Sequence, residues 1–446
     1  MIIIDELPFK HVEGVGFKGF MSRAQPRLNI PSRVTVARDC MQLYKEEKVI
    51  LRSLLSLNQQ MVSLTTDTWT SIQNMNYMCV TSHFIDEGWE LQKKILGFGL
   101  IANHRGDTIG KALEKCLKDW GITKLCTVTV DNASSNNVAL SYLTRNMSAW
   151  NANTLLKGEY MHLRCCAHIL NLIVSDGLSL IDSSISKIRA ACKHVKSSPS
   201  RLALFKECVK DANISSSQKV VIDVATRWNS TYLMLEVASK YEEAFNRLEG
   251  EDPSYVSKLE VVGGTPTVYD WNRARVFINF LKIFYDATLT FSSSLHVSAN
   301  YFFRKLVKIH TALSSWIQGD DAVLKNMALT MKTKFEKYWS DENINYLLFV
   351  AVYLDPRYKI EYLDLCFCWM YGVEKAKMII AKLHELMGKL FDYYKSLQPI
   401  GFVSSDASSS STNTIQSDVV TLGVGGNVDM DALHRRRLKR RQSEHK

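Results

Sequence analysis

Several features that define large classes of protein are absent from this sequence. No apolar run approaches the roughly 20 residues that a helix needs to span a bilayer, so we expect no membrane partner. The first residues, MIIIDE, contain no basic leader and only a short apolar run, which is unlike a secretory signal peptide. From these absences we expect an intracellular protein.

The ten cysteines of this 446-residue chain form no recognisable framework. They are scattered, which in a long chain argues against a secreted disulfide scaffold. No pair of CxxC motifs occurs, so the sequence does not predict a structural zinc finger. His162, Cys165 and His168 are of zinc-binding types, but a closed zinc site takes about four ligands and no fourth is evident. We therefore expect no zinc in this chain.

The composition is that of a globular, basic protein. Apolar residues make up 46% and aromatic residues 10%, which is enough for a substantial buried core. The 55 Lys and Arg residues exceed the 45 Asp and Glu residues, giving a formal net charge of +10. This balance favours a polyanionic partner only weakly, because many basic proteins bind no nucleic acid.

The highest density of positive charge lies near the end of the sequence. It comprises Arg435, Arg436, Arg437, Lys439, Arg440 and Arg441. Three interpretations are open: a nuclear import signal, a non-specific contact to phosphates, or a solvated charge run. We favour the import signal, because the preceding Ser- and Gly-rich stretch is expected to be flexible and to leave the cluster accessible.

Hydrophobic patterning divides the chain into four segments. We expect a helical lead-in at 1–58, an α/β core at 59–235, a helical segment at 236–397, and a disordered Ser/Gly linker with a basic tail at 398–446. Aromatic residues at helical spacing in the third segment, such as Trp271 and Phe277, are predicted to pack between helices.

The second segment has the patterns of a mixed sheet with flanking helices. Strands are predicted at Met61–Thr66, Tyr77–Ile85, Glu90–Phe98, Leu125–Val130 and around Tyr160–Cys165. Helices are predicted at Thr108–Trp120, with Thr108 and Gly121 as caps, and at His168–Val174. Three strands joined by short connections predict an antiparallel meander, and the helix that follows predicts a crossover to a parallel strand. The fold class is therefore mixed α/β with a five-stranded sheet.

Two aspartates occupy corresponding places in this topology. If the fourth strand pairs with the first, Asp67 and Asp131 lie at the same ends of neighbouring strands, and side-chain alternation favours a common face. Two carboxylates in such positions can share divalent metal ions, which activate water in phosphodiester chemistry. The competing interpretation is two ordinary strand-end aspartates, and topology alone leaves both open.

Six segments of the sequence resemble, in the same order, blocks of the hAT-superfamily transposases of the plant branch, including domesticated members of the rice-sleeper type. They are Asp5–Phe9 (DELPF), Leu64–Ser71 (LTTDTWTS), Val128–Asn136 (VTVDNASSN), Leu163–Leu172 (LRCCAHILNL), Asp223–Tyr232 (DVATRWNSTY) and Tyr353–Lys359 (YLDPRYK).

This resemblance implies an RNase H-like core at 59–235, interrupted by an all-helical insertion at 236–397. It also implies an Asp-Asp-Glu triad that binds Mg²⁺ or Mn²⁺, in which Asp67 and Asp131 supply two of the carboxylates. His168 would lie beside the active site, and Arg227 and Trp228 would hold DNA, with the indole stacked on an unpaired base. The alternative for His168 is a buried, hydrogen-bonded histidine, and for Trp228 a core side chain.

The sequence also departs from the family pattern. Family members usually begin with a BED-type zinc finger and end with a dimerisation segment, on whose side of the insertion the third catalytic Glu lies. We find no counterpart of either segment, and nothing around Glu361 or Glu385 resembles the catalytic block. We therefore expect Asp67 and Asp131 to be vestigial and the chain not to be a competent enzyme.

The leading hypothesis is a transposase-derived DNA-binding protein of the nucleus, with weak or non-specific affinity for DNA. One alternative is an active metal-dependent transposase or nuclease. Another is a protein-interaction module without DNA affinity. A second copy or a full-length homologue is a further expected partner.

Overall fold

The computed structural model describes residues 1–57, 60–149, 153–178, 183–224, 227–293, 297–397 and 429–436. These residues divide into two compact units. The first consists of Met1–Val128 and Ala133–Met161, and the second of Thr129–Asn132 and His162–Lys446. The predicted domain boundary between 235 and 236 therefore lies inside the second unit.

The first unit begins with two helices and continues with most of the sheet. Its elements are α1 (Val15–Ala24), α2 (Arg33–Leu57), β1 (Val62–Thr70), β2 (Asn76–Ile85), β3 (Leu91–Leu100), α3 (Gly106–Trp120), β4 (Lys124–Val130), α4 (Ser134–Ala149) and β5 (Asn153–Thr154). The end of β4, from Thr129, is assigned to the second unit.

The described strands form one mixed sheet in the order β3-β2-β1-β4-β5, and β6 (His162–Arg164) pairs with β4. The predicted antiparallel meander is confirmed, because β1 pairs with β2 and β2 with β3 in antiparallel register. The prediction that the fourth strand neighbours the first is also confirmed. The sheet has six strands rather than five, because the two-residue β5, which pairs parallel to β4, is too short to leave a hydrophobic pattern.

Local sequence signals explain the ends of these elements. Gly121 ends α3 in the left-handed region at φ 69°, as predicted for a helix C-cap. The prediction that Thr108 caps the start was wrong: Arg105 is the N-cap, and the Thr108 hydroxyl donates to Asn103 Oδ1 at 2.9 Å. Asp86 closes the hairpin between β2 and β3, since its Oδ1 accepts the N–H of Glu90 at 2.9 Å.

The regular structure described in the second unit is helical apart from β6 and the end of β4. Its helices are α5 (Cys166–Leu178), α6 (Ser183–Lys196), α7 (Pro199–Asp211), α8 (Trp228–Ala238), α9 (Glu242–Glu251), α10 (Pro253–Leu259), α11 (Val268–Phe291), α12 (Ala299–Gln318), α13 (Ala322–Trp339), α14 (Leu347–Tyr353), α15 (Lys359–Tyr371) and α16 (Val373–Ser396). The predicted boundary at 235 falls within α8. As expected, Trp271 and Phe277 are buried between helices.

The predicted disordered tail is ordered in one place. Residues 430–436 are helical, and Met430, Asp431 and His434 within them are buried. This part of the prediction was wrong, because a run of serine and glycine carries no information about a short amphipathic segment that follows it. The remainder of 398–446 lies outside the described residues. In the described part of the chain no single helix has the length and hydropathy of a membrane span, and α5 with α6 meets that test only as a bent pair.

A buried carboxylate joins three helices of the second unit. Asp355 lies between α14 and α15 and accepts hydrogen bonds from the Arg357 side chain, at 2.9 and 2.7 Å, and from Asn300 Nδ2 of α12 at 2.8 Å. The hydrogen bonds from Arg357 hold the pKa of Asp355 well below its ordinary value. The YLDPRYK segment therefore has a structural role in this unit.

We predict that Asp355→Ala lowers the free energy of unfolding by about 2–3 kcal/mol at pH 7, because the charged hydrogen bonds are lost. A carboxyl whose pKa is lowered by folding stabilises the fold above its unfolded pKa, and this contribution is lost as the pH falls. The difference between wild type and variant should therefore shrink below about pH 4. Urea unfolding followed by circular dichroism measures it, with the exposed Asp392→Ala as control. An equal loss in both variants would contradict the assignment.

Candidate functional site

Asp67 lies within β1 rather than at its end. The prediction that the strand stops at Asp67 was wrong, because antiparallel pairing with β2 continues to Thr70, opposite Asn76. Asp67 itself is exposed and lies opposite Cys79, and its Oδ1 accepts the N–H of Thr68 at 2.9 Å. The carboxylate is therefore presented from a sheet face, with strand continuing on both sides of it.

The register places three aromatic rings on the same face as Asp67. Trp69 lies opposite Tyr77, while Phe98 lies opposite Cys79, the partner of Asp67. Each pair of the rings Trp69, Tyr77 and Phe98 has centroids 5.7 Å apart. Trp69 is 37% exposed and Phe98 is 66% exposed. We call these three residues the aromatic face.

The two faces of the β1–β2–β3 meander differ in the burial of their side chains. Residues that alternate with the aromatic face, such as Leu64, Val80 and Phe84, are buried. On the side of the aromatic face, Ile95 and Leu100 are exposed. The block LTTDTWTS contains Trp69, but nothing in the sequence assigned a functional role to Tyr77 or Phe98. Alternation along each strand was a usable signal, but only the register of both hairpins shows that the three rings meet.

The same face continues as a row of polar groups toward β4. Thr65 Oγ1 lies 2.9 Å from His83 Nε2, and Thr127 Oγ1 of β4 donates to Ser63 Oγ at 3.0 Å. Burial, together with the charge of Lys93, lowers the pKa of His83. The hydroxyl contact shows that Ser63 and Thr127 share a face, and alternation assigns Asp67 to that face.

Asp131 belongs to the second unit, where it is the first residue after β4. The backbone N–H of Cys165, just after β6, donates to Val130 O at 2.7 Å. Asp131 directly follows Val130, and His168 follows Cys165 by three positions, in the first turn of α5, which begins at Cys166. The expectation that His168 lies in the neighbourhood of Asp131 is thus compatible with the local backbone, and both residues are half-buried.

Asn132, the residue after Asp131, has an unusual environment. Its amide nitrogen and oxygen are both inaccessible, and neither has a hydrogen-bond partner among the described residues. A buried polar group without a partner costs about 1–3 kcal/mol, and such groups in native proteins are usually satisfied by water or a ligand. Asn132 belongs to the block VTVDNASSN, but its residue type alone predicted no role for it.

Arg227 and Trp228 lie at the start of α8. Arg227 is its N-cap residue and is exposed, whereas Trp228 is only 4% exposed. The indole is a core side chain in this structure, so its predicted stacking on a base is not available in this conformation. The alternative interpretation of Trp228 as core fits the structure.

A buried ion pair holds the segment before Arg227. Asp223 accepts two hydrogen bonds from Arg189 Nε of α6, at 3.0 and 2.8 Å, and one from the Thr231 hydroxyl at 3.0 Å. Burial acts to raise the pKa of Asp223, but Arg189 outweighs it, so the pKa lies below its ordinary value. This network fixes the entry to α8 and with it the position of Arg227.

The described residues do not supply a complete ligand set for the implied ion. Asp67 lies on β1 in the first unit, whereas Asp131 directly follows β4 and belongs to the second unit. Within the described ranges, no three His, Cys, Asp or Glu side chains are grouped so as to hold a metal. An Asp-Asp-Glu site needs three carboxylates, so we derive no catalytic step through Mg²⁺ or Mn²⁺.

The predicted import signal is only partly described. Arg435 and Arg436 are exposed at the end of the helical segment 430–436. Arg437, Lys439, Arg440 and Arg441 lie outside the described residues.

Three protein-family descriptions match the chain. Residues 65–160 match the ZBED1 RNase-like domain, and residues 163–280 match the ZBED1 RNase-like helical domain. Residues 300–394 match the family described as hAT-like transposase, RNase-H fold. The boundary between the first two matches coincides with the division between the compact units at 161–162.

Several curated relatives come from plants. A Zea mays protein named as an AC transposase is 36% identical over 400 residues, covering 89% of this chain and 49% of that protein. RICESLEEPER 2 of Oryza sativa subsp. japonica, a zinc finger BED domain-containing protein, is 32% identical over 97% of this chain and 59% of its own length. DAYSLEEPER of Arabidopsis thaliana is 31% identical over 89% of this chain and 56% of its own length.

The chain thus spans about half the length of the curated relatives it matches. Three observations agree with one another. They are the matched families, the mixed sheet with its meander and crossover, and the sequence blocks at Asp67 and Asp131. The chain belongs to the hAT-like transposases, with an RNase-H-fold domain and relatives among plant AC transposases and BED zinc-finger proteins.

Proposed function

We propose that this chain is a transposase-derived, nuclear DNA-binding protein whose catalytic site is incomplete. The observation that carries the proposal is the aromatic face beside Asp67. An exposed group of aromatic rings next to a carboxylate of a transposase block supports contact with nucleic acid at that place. Relatives named as a transposase and as zinc finger BED domain-containing proteins support the same class of function.

Aromatic rings bind unpaired bases by stacking, which contributes about 1–3 kcal/mol per base and depends little on sequence. Phe98 offers the most exposed ring of the aromatic face, and Lys93 of β3, also exposed, supplies a cation for the backbone phosphates. In the second unit, Arg227 at the N-terminus of α8 combines a cation with the positive end of a helix, which favours a phosphate. We expect weak, sequence-tolerant binding from such contacts.

The proposal that the catalytic site is incomplete rests on the number of carboxylates available to bind metal. Asp67 and Asp131 are the two carboxylates that the family pattern assigns, and we propose that they are vestigial. If the chain were active, Mg²⁺ or Mn²⁺ would supply activation of water, and a third anionic ligand would be required. We keep an active metal-dependent transposase as an alternative that the nicking experiment below tests.

A protein-interaction module is the second candidate, and one observation favours it. Ile95 and Leu100 extend the aromatic face with exposed aliphatic side chains, which nucleic acid does not need. Apolar patches of this kind also mark protein-binding surfaces. The dependence on salt separates the two candidates, because binding to phosphates releases counterions and weakens steeply as salt increases.

We predict that Phe98→Ala weakens binding of a 20-nucleotide single strand about tenfold, because one stacking ring is lost. Fluorescence anisotropy at several salt concentrations measures the affinity. Phe391→Ala on α16 is the matched control, because Phe391 is also 66% exposed and should leave the affinity unchanged. The proposal would be contradicted if the affinity of the wild type for DNA did not fall with salt, or if both variants changed the affinity equally.

We also predict that the chain does not nick supercoiled plasmid with Mn²⁺ in an Asp67-dependent manner. With only two carboxylates, the second metal ion lacks the anionic ligand that would balance its positive charge, so strand cleavage is not expected. The assay compares wild type with Asp67→Ala, an exposed position where the substitution should not disturb folding. Robust nicking by wild type that disappears in the variant would overturn the vestigial assignment and favour an active enzyme.

A further inference from the structure

The segment at residues 429–436 is a docked part of the tail. It follows a long Ser- and Gly-rich stretch, yet residues 430–436 form a short helix whose Met430, Asp431 and His434 side chains are buried. Asp429 caps its start, with its Oδ1 accepting the N–H of Asp431 at 3.0 Å. A segment that is capped and half buried is held in place by specific contacts.

These contacts come from α12 and α15 of the second unit. Arg304 Nε of α12 donates to Asp431 Oδ2 at 2.5 Å, and the Tyr362 hydroxyl of α15 donates to Asp431 Oδ1 at 3.2 Å. The ring of His434 lies edge-on to the ring of Tyr362, with centroids 5.3 Å apart. Arg304 also donates to the Tyr358 hydroxyl at 3.1 Å, so one guanidinium joins the tail to α12 and α15.

The charges explain why Asp431 is the anchor. Burial acts to lower the pKa of Arg304, but Asp431 outweighs it and the pKa is raised, so the guanidinium stays charged. Burial raises the pKa of Tyr362, so its hydroxyl stays protonated and donates to the carboxylate. A buried carboxylate with two such donors loses more than one favourable interaction if it is neutralised.

Exposed cations lie on both of the helices that the ion pair joins. Lys308 is exposed one turn after Arg304, and Arg435 is exposed one turn after Asp431, followed by Arg436. Residues four apart lie on the same side of a helix, so Lys308 shares the side of α12 that carries Arg304, and Arg435 shares the side of the tail helix that carries Asp431. Because the carboxylate of Asp431 pairs with Arg304, its negative charge does not offset the positive charges of Lys308, Arg435 and Arg436.

We propose that the docked tail completes a polyanion-binding surface on the second unit, formed by Lys308, Arg435 and Arg436, whose ligand is the phosphate backbone of DNA. The inference rests on the proposed DNA-binding function. It also changes the interpretation of the basic run, because its first two residues are fixed on the helical unit rather than carried by a free tail. A surface whose cations are held in position binds without the cost of ordering them.

Asp431→Asn in the full chain tests this directly, because it removes the anchor while making the net charge more positive. If the tail acted only through its overall charge, duplex DNA would bind equally or more tightly. The anchored surface instead predicts about fivefold weaker binding and a salt slope reduced by about two. Glu374→Gln has the same change of charge at an 86% exposed side chain and should leave both values unchanged or slightly improved.

Trypsin cleavage after Arg435 and Arg436 reports docking without any DNA. Asp431→Asn and Arg304→Asp should each accelerate cleavage about tenfold, since a docked helix must open before it is cut. The charge swap Arg304→Asp with Asp431→Arg restores opposite charges at the same net charge, and it should restore slow cleavage and DNA affinity. This control separates loss of the pair from misfolding.

Cleavage in wild type that is as fast as in Asp431→Asn would overturn the docking. Faster cleavage with unchanged DNA affinity would overturn the polyanion surface and leave the proposed function standing. Wild type that shows slow tail cleavage but no DNA binding at all would sink the proposed function, and with it the assignment of DNA as ligand.

Discussion

The register of the β1–β2–β3 meander is the constraint on which the candidate site depends. Because side chains alternate along a strand, a slip of one residue would move Asp67 and Trp69 to the covered side of the sheet. The pairing of Thr65 with Thr81 and of Trp69 with Tyr77 fixes the register, and buried Leu64 and Val80 hold the other side. The carboxylate and the aromatic face are thus presented together.

In the second unit, buried ionic contacts play the corresponding role. Asp223 with Arg189, Asp355 with Arg357, and Asp431 with Arg304 each fix a segment that has no sheet to hold it. A charge withdrawn from water needs a partner, so each pair selects one position for its segment. These pairs contribute to the uniqueness of the arrangement at least as much as to its stability. They place Arg227 at the start of α8 and Arg435 at the end of the tail segment.

Periodicity was sufficient to predict the elements with strong patterns. The helix ending at Gly121, the three-stranded meander and the neighbouring fourth strand follow from local residue types, and the family blocks supplied the fold. The continuation of β1 past Asp67 was missed, because Thr68, Trp69 and Thr70 are stabilised by pairing with β2 and not by an apolar pattern of their own. Long-range pairing of this kind is not encoded in a short window.

Two features of the site required coordinates for other reasons. Burial of Trp228 depends on how α8 packs, and a family motif does not carry that information. The docked tail depends on an ion pair between residues 127 positions apart in the sequence, Arg304 and Asp431. An acid in a polar tail resembles solvent-exposed charge until its partner is known. Both cases show side chains whose roles are set by tertiary contacts, while their residue types are compatible with several roles.

The most direct test of the central claim asks whether the aromatic face touches DNA. A photo-reactive phenylalanine analogue placed at Phe98 should cross-link to single-stranded DNA under low salt, because the ring stands exposed on the same face as Asp67. The same analogue at Phe391, which is equally exposed, should cross-link little. Strong cross-linking at Phe98 alone is the predicted result. No cross-link at Phe98, or equal yields at both positions, would contradict the account.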